Sequence, residues 1–360
     1  MLLQRDDVDP SAADGHGRTP LFIAACEGHE GVVKILLGRN DINFNTAATD
    51  SKTPLFGAPL VGNKGVAEIQ LERKKVDPNT VDKEGRTPLF IAARKGHKGV
   101  VKILLECNDV NPNIAHKYGQ TPLFVAAWAG HELIVKMLLE RMDVNPNTAD
   151  KSGRTPLYIA AYNGHEEVVK VLLERNDVDP NAIDRCGETP LLGATWGQRG
   201  EVMEALLKKV HVNPNVADVL GQTPLFLAAG EGYERVVEML LARNDVDPNT
   251  PNLLGQTPLF EAAREGHEEV VKMLLRRSDV NHNKTDHSGK TPLLAAVSEG
   301  HAGVVKILLE RADVNSDMRG LTGATALVQA RECGHDALVK FLSGRGSLPP
   351  PLFGDEYSHP

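Results

Sequence analysis

A threonine returns every 34 residues along this chain: Thr19, Thr53, Thr87, Thr121, Thr155, Thr189, Thr223, Thr257, Thr291 and Thr325. No step is longer or shorter. The slots between are as strict. Leu stands two residues after each Thr and Ala five after it, from Leu21 and Ala24 to Leu327 and Ala330. A period of this length across ten units means that one small supersecondary unit is repeated, and it overrides the two or three domains expected from 360 residues.

The unit itself reads as helix, turn, helix, loop. Pro follows the Thr in every unit but the last, where Ala326 stands. A Thr whose hydroxyl accepts an orphan amide, followed by a Pro that lacks one, predicts a helix start. Gly nine residues later (Gly28, Gly96, Gly130, Gly164) predicts a left-handed end to that short helix. In "HEGVVKILLGR", Val32, Val33, Ile35, Leu36 and Leu37 form a wide apolar face, which predicts a second helix. Asn40, Asn108, Asn176 and Asn244 are expected to end it in the left-handed conformation. An Asp-x-x-Gly then marks a turn before the next Thr. Such a unit buries its apolar face only against its neighbours.

The pattern G-x-TPL-x-x-AA-x-x-GH-x-x-VVK-x-LL, carried over residues 12–344, resembles the ankyrin repeat. The unit is one residue longer than that family's, with the extra residue in the "DVDPN" loop. Phe replaces the usual His after TPL at Phe22, Phe56, Phe90, Phe124, Phe226 and Phe260. Long "DVDPN" arrays are similar to those of fungal ankyrin proteins. The resemblance implies an all-α solenoid of helix-turn-helix units with β-hairpin-like loops. Residues 1–11 match the end of a preceding repeat, which points to a fragment, an internal start or a lost N-terminal part. The Pro-rich residues 345–360 are expected to be disordered.

Two units are irregular. Repeat 2 has Pro59 inside its first helix and Gln70 where the second helix has Leu. Repeat 6 has Thr195 for Ala and "GQRG" around the turn. Neutral drift and a hinge both account for them.

Composition narrows the functional classes. A net charge of −8 does not suit phosphate backbones, so no nucleic-acid partner is expected. No segment has the length of a membrane span. Four scattered cysteines without a CxxC suggest reduced thiols and an intracellular setting, cytoplasmic or nuclear. Histidines placed one per repeat cannot share a metal ion, because stacked helices are about 10 Å apart and zinc–nitrogen bonds about 2 Å. These His are instead expected to hydrogen-bond between repeats. Asp177, Asp179, Asn181 and Glu188 imitate a calcium loop, but Ala182 stands where its Gly is required. No Ser-His-Asp set, phosphate loop or HExxH motif is present, so no catalytic, metal or cofactor site is expected.

The resemblance further implies that a partner binds in a concave groove of hairpin tips and first helices. The slots facing it lie four, three and one residues before each Thr, and seven and eight after. Repeats 1–3 place basic residues there, Arg86 and Arg94 among them. Trp128, Tyr162 and Trp196 occupy the seventh slot of three consecutive repeats, and Tyr118 a nearby tip. Elsewhere that slot holds Gly230, Arg264 and Glu332, so it is not a core position and its aromatics should be exposed. Leu220 and Leu254 are apolar tips in repeats 7 and 8. The expected function is a non-catalytic, monomeric module binding a protein or peptide. A regulatory fragment of a larger signalling protein is the alternative, and an enzyme the least favoured.

Overall fold

In a computed structural model, residues 9–73, 75–315 and 324–344 are described. The expected repeat remnant at residues 1–11 therefore lies largely outside them, and the expected disordered tail 345–360 wholly outside. The described residues are all-helical, without strands. Each repeat contributes a short first helix, such as Pro122–Trp128, and an antiparallel second one, such as Glu132–Leu139. Contacts divide the chain into two units, residues 1–219 and 220–360. Within each, first helices pack on first helices and second on second.

The Thr caps form as expected. Thr121 Oγ1 accepts the amide of Phe124 at 3.2 Å, and the same bond recurs in every repeat except 2 and 10. Gly96 and Gly164 end their helices with φ of 80° and 84°, a conformation costly for residues with a Cβ. The buried Leu and Ala slots pack the two helices and their neighbours together. In repeat 1, where no described helix precedes, Val32 and Ile35 stay exposed, whereas the equivalent Val100 is buried.

The Asn expectation is corrected. Among the described residues only Ser51 and Gln198 are non-glycines with positive φ, so Asn40, Asn108, Asn176 and Asn244 are not left-handed caps. The second helix ends through three-residue bonds instead, such as Cys107 N–H to the Leu104 carbonyl at 3.2 Å. The next repeat's Arg covers a further carbonyl: Arg175 Nη1 donates to Leu139 O at 3.0 Å. With those acceptors satisfied, no left-handed residue is needed.

The loops are tied by a different set of asparagines. Asn113 Oδ1 accepts the Asn145 amide at 3.1 Å, and its Nδ2 donates to the Asp143 carbonyl at 2.6 Å. The hairpin-like tips form around aspartates: Asp150 Oδ1 accepts the amides of Ser152 and Arg154 at 2.8 and 3.0 Å.

Candidate functional site

The seventh slot is the last turn of each first helix, and in repeats 3, 4, 5, 7 and 9 its backbone is clamped by the following repeat. His131 Nε2 donates to the Arg94 carbonyl at 3.2 Å, and His165 Nε2 to the Trp128 carbonyl at 3.0 Å. Asn163 Nδ2 adds a second bond to Trp128 at 3.1 Å. In repeat 6 Arg199 stands in for His, its Nε donating to the Tyr162 carbonyl at 3.2 Å. The His residues thus join repeats, as the sequence suggested. The histidine nitrogen must carry the proton in these bonds, because a carbonyl only accepts.

The aromatic side chains of this slot stay available. Trp128, Tyr162 and Trp196 are 47%, 45% and 41% exposed, on three consecutive packed helices. They are half-sunk rather than free. Tyr162 stacks on Tyr158, centroids 6.3 Å apart and planes 11° from parallel. Gly193 makes room for this pair: a Cβ there would lie 3.2 Å from the Tyr158 ring. Tyr158 is buried, and its hydroxyl donates to Glu188. Burial first, then that carboxylate, raises the Tyr158 pKa and keeps the phenol neutral.

Tyr118 stands at the tip of repeat 4, 58% exposed. His116 stacks between it and Phe90, at centroid distances of 5.3 and 4.9 Å. Burial lowers the His116 pKa, so the ring is neutral near pH 7. It occupies the slot that holds the turn Asp in repeats 3, 5 and 6, a substitution visible in sequence that the slot reading passed over. Arg94 is exposed at the end of its helix. Arg86 is bound into its own turn: its Nε donates to Asp82 Oδ2 at 2.8 Å. Leu220 and Leu254 lie in the second unit, on successive tips with Leu253, all three exposed.

The tips also carry a column of cations. Lys83, Lys117, Lys151 and Arg185 stand four residues before Thr in repeats 3 to 6, all exposed. Each amide donates to the preceding tip: Lys117 to Glu84 O, Lys151 to Tyr118 O and Arg185 to Ser152 O, each at 2.9 Å. Of the four, Lys117 pairs with a carboxylate, Glu84, and lies 5.2 Å from the Tyr118 ring centroid.

The calcium-like loop is absorbed by the array. Asp177 pairs with Arg175, Asp179 Oδ1 accepts the Asn181 amide, Asn181 Nδ2 donates to His211 O, and Glu188 holds Tyr158. Among the described residues no group of three or more His, Cys, Asp or Glu is placed to hold a metal. All four cysteines are free thiols. No described helix is long and apolar enough to cross a membrane.

A family model described as ankyrin repeats (three copies) matches residues 55–150, 134–218, 197–286 and 277–348, and the ankyrin repeat model matches residues 16–47. The chain belongs to the ankyrin-repeat family. These matches cover well over half of it. Comparison with curated proteins finds no match. Ankyrin repeats generally mediate protein–protein interactions, and the family is typically non-catalytic.

Proposed function

We propose that this ankyrin array is a non-catalytic binding module that holds a protein or peptide against the aromatic stripe of repeats 4 to 6. The observation that carries the reading is a large, half-exposed aromatic in three consecutive repeats, the first two of them, Trp128 and Tyr162, on backbone fixed by cross-repeat bonds. Such rings bury much area on binding at little rotamer cost, and a fixed backbone lowers the entropy lost. With helices packed roughly 8–10 Å apart, the stripe spans close to 20 Å. That suits about six residues of extended peptide at roughly 3.3 Å each. Tyr118 and Arg94 bound the site, while Arg86 supports a neighbouring turn. An intracellular location, cytoplasmic or nuclear, accords with the free thiols.

The test is capture of the partner from the native source, followed by affinity measurements on variants. Trp128→Ala and Trp196→Ala should each lose about 2 kcal/mol or more of binding. Their melting curves should barely move, because Gly230 and Glu332 occupy the same slot in other repeats. Leu254→Ala should matter less. Unchanged binding with a large loss of stability would place the partner on another face, and the leucine tips of repeats 7 and 8 would be examined next.

A further inference from the structure

Four cations in one slot of four consecutive repeats are a ruler as well as a patch. Lys83, Lys117, Lys151 and Arg185 are exposed in the same four repeats that carry Arg94, Trp128, Tyr162 and Trp196 in the seventh slot. Their tip backbones are joined one to the next, so the column advances by one repeat per charge. That step is the packing distance of the first helices, roughly 8–10 Å. A polyproline-type helix repeats every three residues, about 9.3 Å, and returns the same face each time. A flat β-strand does not: its faces alternate, so every third side chain changes side.

We infer that the partner segment is an acidic, polyproline-type peptide with a carboxylate at every third residue, its acids on the tip cations and its intervening residues on the aromatic stripe. This rests on the groove reading above and names the chemistry of the occupant. Proline and aliphatic residues between the acids match half-sunk Trp and Tyr rings, which favour a preformed, low-entropy helix. Lys83, Lys151 and Arg185 make no carboxylate pair among the described residues, whereas Lys117 has Glu84. The acid opposite Lys117 therefore contributes least. Carboxylates within this face are committed to the fold: Asp82 to Arg86, Asp150 to Arg154, and Glu188 to Tyr158. The same rings and cations resemble a platform for single-stranded nucleic acid. The oligonucleotide arm of the experiment separates that occupant from the peptide.

The experiment uses the full chain and four probes. The first is a decapeptide of Glu-Pro-Leu three times, closed by Glu. The others are its isomer with Glu at alternate positions, its analogue with Lys for every Glu, and a thymidine oligonucleotide. Both tryptophans of the protein lie in the stripe, so intrinsic fluorescence reports the site. The first peptide should bind at least about tenfold more tightly than its isomer, and salt should weaken it. The Lys151→Glu, Arg185→Glu double variant should lose about tenfold, with an unchanged melting curve because both side chains are exposed. Equal binding of the two acidic isomers overturns the register. Preference for the lysine peptide or the oligonucleotide overturns the acidic partner. If no probe alters the fluorescence while Trp128→Ala still abolishes capture of the natural partner, this inference fails and the groove reading stands. If Trp128→Ala leaves that capture intact, the groove reading itself fails.

Discussion

Repeats 2 and 6 depart from the common unit in matching ways, and the two sets of departures have different consequences. Each has Gly four residues after its Thr, Gly57 and Gly193, where repeats 1, 3, 4, 5 and 7 have Ile, Val or Leu. Each has a non-glycine at a left-handed position, Ser51 and Gln198. Each sets a polar side chain in the core, Gln70 and Thr195. In repeat 6 the polar groups find partners: Thr195 Oγ1 donates to the Leu191 carbonyl at 2.9 Å, and Arg199 takes over the histidine's cross-repeat bond. In repeat 2, Gln70 Oε1 has no partner among the described residues. Thr53 does not cap its helix but bonds Thr80, and the helix splits into a 3₁₀ turn, Pro54–Phe56, and a short α segment, Gly57–Val61, containing Pro59. Asn63 there makes two bonds, its Oδ1 accepting the Val66 amide and its Nδ2 donating to Gly28 O. What separates the two repeats is whether each polar side chain finds a partner, in its own helix or in the adjoining repeat, not how many departures there are.

The largest effect should come from the two glycines. A Cβ on Gly57 would lie 2.5 Å from the Ala25 carbonyl carbon and 2.6 Å from the Cys26 amide nitrogen. Backbone there cannot turn aside, so Gly57→Ala is expected to cost about 2–3 kcal/mol through overpacking. On Gly193 the nearest atom is in the Tyr158 ring at 3.2 Å, a side chain that needs to shift by a few tenths of an ångström. Helix propensity favours Ala by up to about 1 kcal/mol, so Gly193→Ala should stay within about 1 kcal/mol of the parent. Urea unfolding of the pair checks this. Equal losses would mean that repeats 1 and 2 relax apart as readily as a ring moves.

Next are the buried polar side chains. Gln70→Leu removes an unpaired acceptor and adds apolar burial, and should stabilise by about 1–2 kcal/mol. Amide exchange across residues 53–72 should slow with it. Thr195→Val removes a satisfied hydroxyl without orphaning a donor, so its stability should change by less than about 1 kcal/mol. A gain at Thr195 as large as that at Gln70 would erase the distinction between the two repeats.

Much of this contrast could be read from the residues, and the part that could not is instructive. Pro59, Gln70 and Thr195 stand out against a strict period, as do the aromatics of the seventh slot, because periodicity turns each position into a comparison. Whether a polar side chain is satisfied can depend on atoms a whole repeat away, as with Arg199 and the Tyr162 carbonyl. Local pattern carries no such distance. The misplaced asparagine caps have the same origin: helix-end preferences are local, but the Arg that covers the Leu139 carbonyl comes from the next repeat. The tip cations are plain as single residues, but their alignment into a column rests on backbone bonds between one tip and the next.

The smallest effect provides a control on the whole comparison. Ser51 and Gln198 adopt φ of 64° and 53° at positions where other repeats have Gly. Holding a residue with a Cβ in the left-handed region costs roughly 1–2 kcal/mol. Changing it to Gly removes that strain but widens the unfolded ensemble, which takes back roughly 0.5–1 kcal/mol. Ser51→Gly and Gln198→Gly should therefore each stabilise by about 0.5–1 kcal/mol. Both amides already bond within the local turn, to Ala48 O at 2.9 Å and Thr195 O at 3.0 Å, and Gly keeps those bonds. Since strain of this kind lies in the residue's own backbone, the neighbouring repeat should not matter, and the two gains should agree within about 0.5 kcal/mol. A clearly larger gain at Ser51 would show that repeat 2 is strained beyond its orphaned glutamine and broken helix. Equal gains would confine its weakness to contacts that the adjoining repeats fail to supply.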